Sequence, residues 1–360
     1  MSQAVRHDAM RAGNLEVVLG EVSRRGPLTR AALAEVTGLT KSTVSKLVGD
    51  LIDAGILAES GLTRVGERGR PGVDVVLSGE RIAALGLEIN VDYLAVCLVD
   101  LTREVRYDVR RERDNRERPE DVLAELRTLA VEVLGEAEKR GLTVAGAGLA
   151  LSGPVGGGLL VSAPNLGWRD VRAAELLDLP VAVELDNEAN LAALGELWFG
   201  AGERDFLYVS GEIGIGAGLV VGGELFRGPN GLAGELGHVV VSPDGPACRC
   251  GGRGCLETYA GQEALGDENV AGEALGVALA SAVNLFDVDR IVLGGVFAPL
   301  FPSLSGPITR VLRERLSKLR GSVPTLTASG LGAQAATLGA AGRVLHRVLT
   351  DPGAYLRSGQ

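Results

Sequence analysis

The sequence predicts an α/β protein in two parts: a small helical unit with a two-stranded wing, and a larger two-lobed body. Before residue 80, three helical segments are followed by two short strands. Beyond it, a strand, tight turn and strand occur twice, at 83–100 and 206–222, which predicts two α/β lobes with a cleft between them. Three of the four cysteines lie between residues 248 and 255, which predicts a metal knot in the second lobe.

The composition fits a globular protein. The chain has 360 residues, is 46% hydrophobic and contains 52 glycines, so it can form two or three domains with real cores. No signal peptide and no apolar run of about 18 residues is visible, and reduced thiols suit the cytosol, so we expect a cytoplasmic protein. Aromatic residues make up only 4%, which argues against stacking platforms for single-stranded nucleic acid.

The charge is distributed unevenly. Residues 1–80 contain ten Lys/Arg and ten Asp/Glu, whereas the remainder contains 26 against 36. An acidic body repels DNA, so any contact with nucleic acid must come from local positive clusters in the first 80 residues.

The first 80 residues predict a winged helix-turn-helix. A first helix covers 14–25, with an apolar side formed by Leu15, Val17, Val18, Leu19 and Val22. A short helix at 29–38 ends at a glycine, and Thr40 caps a third helix. Residues spaced for burial recur in that third helix: Val44, Leu47, Val48, Leu51 and Ile52.

The exposed side of the third helix has the composition of a recognition helix. Its candidate DNA-contacting residues are small or cationic: Lys41, Ser42, Thr43, Ser45 and Lys46. Short side chains allow close approach to base edges, and lysines can meet phosphates.

The wing is predicted from strands at 56–59 and 73–77. The loop between them carries Arg64, Arg68 and Arg70, and its Gly-Arg-Pro unit fits a minor groove. We therefore predict binding to double-stranded operator DNA. The alternative is a winged-helix module for protein interaction, which Glu59 and Glu67 would favour.

A Cys3His cluster predicts one structural zinc ion. The candidate ligands are His238, Cys248, Cys250 and Cys255, and the intervening glycines allow the backbone to turn tightly. Free or disulfide-bonded cysteines are the alternative, but Cys-x-Cys does not readily form a bridge and three cysteines leave one over. Glu235 and Glu257 flank the knot and are not needed as ligands.

The body predicts domain limits that follow its two patterns. We expect the winged helix at 1–78, a first lobe at 82–190 and a second lobe at 191–333 that contains the zinc motif 238–255. A last amphipathic helix at 334–349 is long enough to pack back on the first lobe. Another strand is expected at 181–184, with a helix beginning near residue 190.

The motif His-x9-Cys-x-Cys-Gly-x2-Gly-Cys-x-Glu, preceded by Glu-x-Gly-His, resembles the ROK family of repressors and sugar kinases. The resemblance covers essentially the whole chain, and the winged helix looks like that of the xylose-repressor branch. It implies an actin-like, two-lobed body of the sugar-kinase (ribonuclease H-like) type. It also implies a sugar held between the lobes, and a homodimer or homotetramer.

The same resemblance implies a set of sugar-binding residues. Glu235, His238 and Glu257 match residues that hold sugar hydroxyls in the family. Asn187 and Glu188 match a pair that binds the sugar and supplies the catalytic base, and the turn Ser152–Gly153 matches one that closes over the sugar. Asn187 could instead simply cap the helix that follows, and Glu235 and Glu257 could merely support the knot.

Three departures from the family kinases predict that no phosphoryl transfer occurs. The segment 88–92 is Glu-Ile-Asn-Val-Asp, where kinases have Asp-x-Gly-Gly-Thr, and 212–216 begins with Glu and lacks the threonine. Added carboxylates repel a triphosphate. Glu188 replaces an aspartate, which would misplace the proton acceptor by about 1 Å.

We therefore expect a sugar-responsive transcriptional regulator, more specifically a repressor, that binds a sugar effector without phosphorylating it. The alternatives are a sugar kinase with an appended DNA-binding domain and a body that binds a protein partner.

Overall fold

The computed structural model describes residues 3–63, 72–212 and 214–358. The helices, numbered in chain order, are α1 Gln3–Arg25, α2 Arg30–Thr37, α3 Lys41–Asp53, α4 Pro119–Lys139, α5 Ala173–Leu177, α6 Glu188–Phe199, α7 Glu257–Ala260, α8 Glu268–Phe286, α9 Phe301–Arg320, α10 Ala335–Thr350 and α11 Pro352–Ser358. The strands are β1 Leu28–Thr29, β2 Leu57–Thr63, β3 Val73–Leu77, β4 Ile82–Ile89, β5 Tyr93–Asp100, β6 Val105–Glu112, β7 Thr143–Leu151, β8 Val155–Gly156, β9 Leu159–Ala163, β10 Trp168–Val171, β11 Val183–Asn187, β12 Phe206–Gly211, β13 Ile215–Val221, β14 Glu224–Phe226, β15 Arg290–Gly295 and β16 Thr325–Ala328.

The N-terminal part is a winged helix, as the sequence predicts. Thr29 caps α2 by accepting a 3.1 Å hydrogen bond from the Ala32 backbone N–H, and Thr40 caps α3 by accepting one from Thr43 at 3.2 Å. The three short strands form an antiparallel sheet in the order β1-β3-β2. The terminal glycine was therefore sufficient to locate α2, and the Thr40 cap with the apolar spacing was sufficient to locate α3.

Three details of the helical prediction are wrong. Helix α1 begins at Gln3 rather than near residue 14, and Val17 is 47% exposed rather than on the apolar side. Val17 lies about 200° around the helix from Leu15, whereas Leu15, Val18 and Val22 share one buried face. Ile52 in α3 is only half-buried.

Among the described residues the body contains two five-stranded sheets that share one topology, and a small antiparallel sheet in the order β10-β9-β8. The first sheet has the order β11-β7-β4-β5-β6 and the second has the order β14-β13-β12-β15-β16. In each, an antiparallel hairpin with a third strand continues into two parallel strands. This repeat agrees with the two strand–turn–strand patterns. Strand β11, however, runs from Val183 to Asn187 and so extends beyond its predicted end at 184.

Helix α10 connects the parts of the molecule. It packs against α6 and against strands β4 and β7, so the last helix does return to the first sheet. The contact with α6 is very close, because a Cβ atom on Gly339 would lie 1.7 Å from the Leu191 carbonyl oxygen. On its other side α10 shares one buried apolar cluster with α1, to which Leu345 and Val348 contribute from α10 and Leu15 and Leu19 from α1. The winged helix and the body therefore have a common core.

Within the described ranges, one helix is long and apolar enough to cross a membrane, namely α8. Its side chains, among them Leu275, Leu279 and Val283, form the core beside the second sheet. Burial in this core accounts for its apolar composition.

Candidate functional site

The outer face of α3 is polar and accessible. Lys41, Ser42, Ser45 and Lys46 are exposed, while Thr43 is half-buried and hydrogen-bonded to the Thr40 cap. Arg64, Arg68 and Arg70 lie outside the described residues, so their minor-groove role stays a prediction.

Glu59, one of the two residues that would favour a protein-interaction module, is paired in the structure. It forms an ion pair with Arg30 on α2. This acid therefore completes a contact within the winged helix, and Glu67 lies outside the described residues.

The four candidate metal ligands converge. The donor atoms of His238, Cys248, Cys250 and Cys255 all lie within 4.8 Å of one another. Sγ of Cys250 is 3.7 Å from Sγ of Cys255, and Sγ of Cys248 is 3.8 Å from Nδ1 of His238. Tetrahedral Zn–S bonds of about 2.3 Å require sulfurs about 3.8 Å apart, whereas a disulfide requires about 2.05 Å. The donor set and its spacing therefore fit a tetrahedral metal ion.

The turn that carries the cysteines depends on a glycine. Gly254 has φ of +66°, and a Cβ atom there would lie 1.6 Å from the Ser242 carbonyl oxygen. Only glycine allows the chain to pass this closely and return Cys255 to the cluster.

Beside the metal cluster, a cleft of about 360 Å³ is lined by residues from both sheets and their loops. It brings together all seven candidate sugar-binding residues: Ser152, Gly153, Asn187, Glu188, Glu235, His238 and Glu257. The lining also includes Glu212, which the sequence analysis placed in a phosphate loop, and four polar residues that the sequence analysis did not identify, namely Ser162, Asn165, Asn190 and Arg249. That the seven candidates contact a sugar stays a prediction.

Asn187 does cap α6. Its Oδ1 accepts hydrogen bonds from the backbone N–H groups of Ala189 at 2.9 Å and Asn190 at 3.3 Å. Its Nδ2 donates to the Gly153 carbonyl oxygen at 3.0 Å. The cap therefore also fixes the Ser152–Gly153 turn against the start of α6.

His238 faces the metal cluster and the cleft with different ring atoms. Nδ1 points to Cys248, while Nε2 lies 4.0 Å from Oε2 of Glu235. Glu257 accepts a 3.3 Å hydrogen bond from the Ile215 backbone N–H. The imidazole and both carboxylates thus line the cleft beside the metal cluster.

Three glutamates lie at or behind the cleft floor. Burial, then the charge of Glu212, raises the pKa of Glu188 to about 8, although Ser210 donates a 2.8 Å hydrogen bond to it. Burial also raises the pKa of Glu212, against a 3.0 Å hydrogen bond from Asn90. Burial and the charges of Glu212 and Glu188 raise the pKa of Glu88 well above its usual value.

The environment of Glu88 agrees with a retained proton. Tyr93 donates a 2.7 Å hydrogen bond to its Oε1, but its buried Oε2 has no hydrogen-bond partner among the described residues. Burial and the neighbouring carboxylates outweigh the charge of Arg110, so the neutral form of Glu88 is favoured.

A buried ionic network lies one residue before Asn187. Asp186, whose side chain is only 6% exposed, pairs with Arg227 at 2.6 Å and with Arg343 of α10. Sequence reasoning missed this network, because its members are separated by 41 and 157 residues.

The body consists of two lobes of equal topology with a cleft between them, which defines an actin-like body of the sugar-kinase type. This body carries an N-terminal helix-turn-helix domain. A model of the ROK family matches residues 84–270, and a model of the MarR family matches residues 17–64. The chain therefore belongs to the ROK family and has a winged helix of the MarR type.

Known relatives match different lengths of the chain. A xylose repressor of Bacillus spizizenii is 29% identical over 371 residues, which cover 93% of this chain and 96% of that protein. The crystal structure of a ROK family transcriptional regulator, a homologue of the E. coli MLC protein, covers 98% of this chain and 100% of that one, with a TM-score of 0.82 and 24% identity. A ROK hexokinase from Thermus thermophilus covers 72% of this chain and 97% of its own, with a TM-score of 0.60 and 30% identity.

Proposed function

We propose that the protein is a sugar-responsive, DNA-binding transcriptional repressor. The observation that carries this proposal is that the likeness to a xylose repressor spans 93% of the chain. The hexokinase structure, in contrast, matches 72% of it. The exposed Lys41–Lys46 face of α3 supports an operator contact, with Lys46 at a phosphate.

The effector, in this proposal, is a sugar held in the cleft. Glu235, His238 and Glu257 accept or donate hydrogen bonds to its hydroxyls, and Ser152 and Gly153 cover it. A hydroxyl bonded to a carboxylate contributes roughly 1.5–3 kcal/mol. Because Asn187 uses its oxygen for capping, its contribution is to hold the turn and the start of α6 in place.

The geometry supports binding without phosphoryl transfer. Glu188 stands at the catalytic-base position and is one methylene longer than the aspartate of the family kinases, which would misplace the proton acceptor by about 1 Å. Glu212, which is half-buried, adds a carboxyl where the family kinases have a glycine, and residues 90–92 are Asn-Val-Asp in place of their Gly-Gly-Thr. The alternative, a kinase with an appended DNA-binding domain, requires sugar-dependent ATP turnover.

We further propose that the metal is zinc, held by His238, Cys248, Cys250 and Cys255. When bound, zinc supplies cross-linking of the loop rather than reactivity, because all four positions are taken by protein ligands. The residues of the loop then hold Glu235 and Glu257 at the cleft.

Coupling between cleft and DNA, we infer, runs through α10. Its Arg343 pairs with Asp186, beside the cleft, while its opposite side shares a core with α1. A shift of α6 and α10 on sugar binding would move the winged helix; coupling of this kind is typically about 1–3 kcal/mol. We also propose that the protein is a cytoplasmic homodimer or homotetramer. Its domain limits in this proposal are 1–78, 82–190 and 191–333. In a symmetric dimer such a movement changes the spacing of the two operator contacts.

The test combines a thermal-shift screen of monosaccharides and disaccharides with operator binding. A sugar that stabilises the protein should also release the operator. Glu235→Ala should bind operator normally but lose the response to sugar, while Glu138→Ala, an exposed carboxylate on α4 that does not line the cleft, should respond like the wild type. Full induction of Glu235→Ala would contradict the site, and wild-type ATP turnover with sugar would contradict the regulatory assignment.

A further inference from the structure

One hydrogen bond crosses the cleft from the metal loop to the first lobe. Arg249 lies between Cys248 and Cys250, and its Nη1 donates to Oδ1 of Asn165 at 3.2 Å. Its Nη2 donates to both carboxylate oxygens of Glu263, at 3.0 and 2.8 Å. Arg249 and Asn165 both line the cleft. The guanidinium is thus held from both sides of the opening.

Both ends of this contact lie on tight turns. The turn of Arg249 is closed by backbone hydrogen bonds from Cys248 to Gly252 at 2.9 Å and from Gly251 to Cys248 at 3.0 Å. On the other side, Leu166 donates to the Ala163 carbonyl at 3.0 Å, so Asn165 also lies in a closed turn. Little backbone freedom is lost when such partners meet, which strengthens a contact that would otherwise be weak.

The ion pair with Glu263 is not the main source of stability. The side chains of Arg249 and Glu263 are 60% and 74% exposed, and exposed pairs of this kind contribute little. Both hydrogen bonds to Glu263 do, however, leave from Nη2, so that Nη1 of the same guanidinium remains available to Asn165.

Asn165 also reaches the floor of the cleft. A Cβ atom on Gly214 would lie 2.4 Å from Oε2 of Glu257 and 3.6 Å from Nδ2 of Asn165. The amide therefore has its oxygen toward Arg249 and its nitrogen toward the neighbourhood of Glu257. Any ligand beside Glu257 lies under this residue pair.

We propose that Arg249 and Asn165 form a latch across the cleft, and that Arg249 is a positioning residue that holds the lobes closed over the effector. The proposal rests on the proposed function for the nature of the ligand, but the latch itself is a property of the free protein. It gives the metal loop a direct part in lobe closure.

Effector binding is the first test. Arg249→Ala and Asn165→Ala should each raise the dissociation constant of the sugar found in the screen by about three- to tenfold. The double variant should be no weaker than either single variant, because each removes the same hydrogen bond. Arg249→Lys keeps the positive charge but not the branched guanidinium, so its loss of sugar affinity should be intermediate. Arg253→Ala, an exposed arginine of the same loop that does not line the cleft, is the matched control and should bind like the wild type.

Amide hydrogen exchange of the sugar-free protein is the second test, and it decides the latch even if no sugar binds. Arg249→Ala should speed exchange in the turn at 163–167 of the opposite lobe, and Asn165→Ala should speed it in 248–252. Zinc content should stay at the wild-type level in both. Unchanged exchange, multiplicative effects in the double variant, or loss of metal from Arg249→Ala would each overturn the latch. Absence of sugar binding by the wild type would count against the proposed function alone.

Discussion

Replacement of Glu188 by glutamine should stabilise the protein at alkaline pH. The side chain is nearly fully buried at the start of α6, accepts a hydrogen bond from Ser210 and faces the charge of Glu212. Glutamine has nearly the same shape and keeps an acceptor for Ser210, but it cannot ionise. The variant therefore removes the cost of a buried charge while it changes the packing little.

The magnitude follows from the pKa. A carboxyl whose pKa rises from 4.5 in the unfolded chain to about 8 in the folded protein binds more protons when folded, so its stabilising contribution is present at low pH and is lost as pH rises through 8. From this one group, the free energy of unfolding of the wild type should fall by about 3 kcal/mol between pH 5 and pH 8.

Urea denaturation at pH 5, 6, 7 and 8 measures this effect. The difference in free energy of unfolding between Glu188→Gln and the wild type should grow in favour of the variant by about 3 kcal/mol across that range. Glu138→Gln, on the exposed side of α4, should show no such trend. A difference between Glu188→Gln and the wild type that is independent of pH would refute the assignment of a raised pKa.

Other predictions concern the metal and the two ligands. Fresh, chelator-free protein should contain about one zinc ion per chain by metal analysis; Cys250→Ser should lose it and bind sugar more weakly, whereas Cys97→Ser, in the buried core, should retain it. Lys46→Ala should weaken binding to all DNA sequences and reduce the slope of log affinity against log salt by about 1, while Lys318→Ala on α9 should leave both unchanged; an effect confined to one operator would argue against a phosphate contact. Calorimetry with ATP should show no binding, with or without sugar, and measurable binding would undermine the role given to Glu212 and the segment 88–92.

Features encoded by nearby residues could be predicted from the sequence. The candidate metal ligands are close in the chain, and cysteine and histidine side chains both bind zinc. Their spacing was therefore enough to identify the cluster. The glycine that ends α2, and the Thr40 cap and apolar spacing of α3, located these two helices for the same reason. The cleft residues required the family resemblance, because residues such as Ser152 and Glu257 are brought together only by the fold.

The remaining features depend on contacts distant in sequence. Nothing near Arg249 indicates that it meets Asn165, 84 residues earlier. Likewise Arg343 looks like an ordinary polar position of an amphipathic helix until the fold places it against Asp186. The exposure of Val17 shows a further limit of sequence analysis. Hydrophobicity alone did not show that Val17 lies outside the buried face of α1.

The common core of α1 and α10 has a consequence for how such proteins can be recombined. Here one side of α10 carries Leu345, Val348 and other apolar residues, which are buried in one cluster with residues of α1. The DNA-binding unit is therefore not structurally independent of the body. Residues 1–80 fused to a kinase body that lacks this apolar face would leave the buried face of α1 uncovered. Deleting them from this chain would expose the apolar side of α10 to water. A successful transplant must carry the matching face of the C-terminal helix, more than 250 residues away in the sequence.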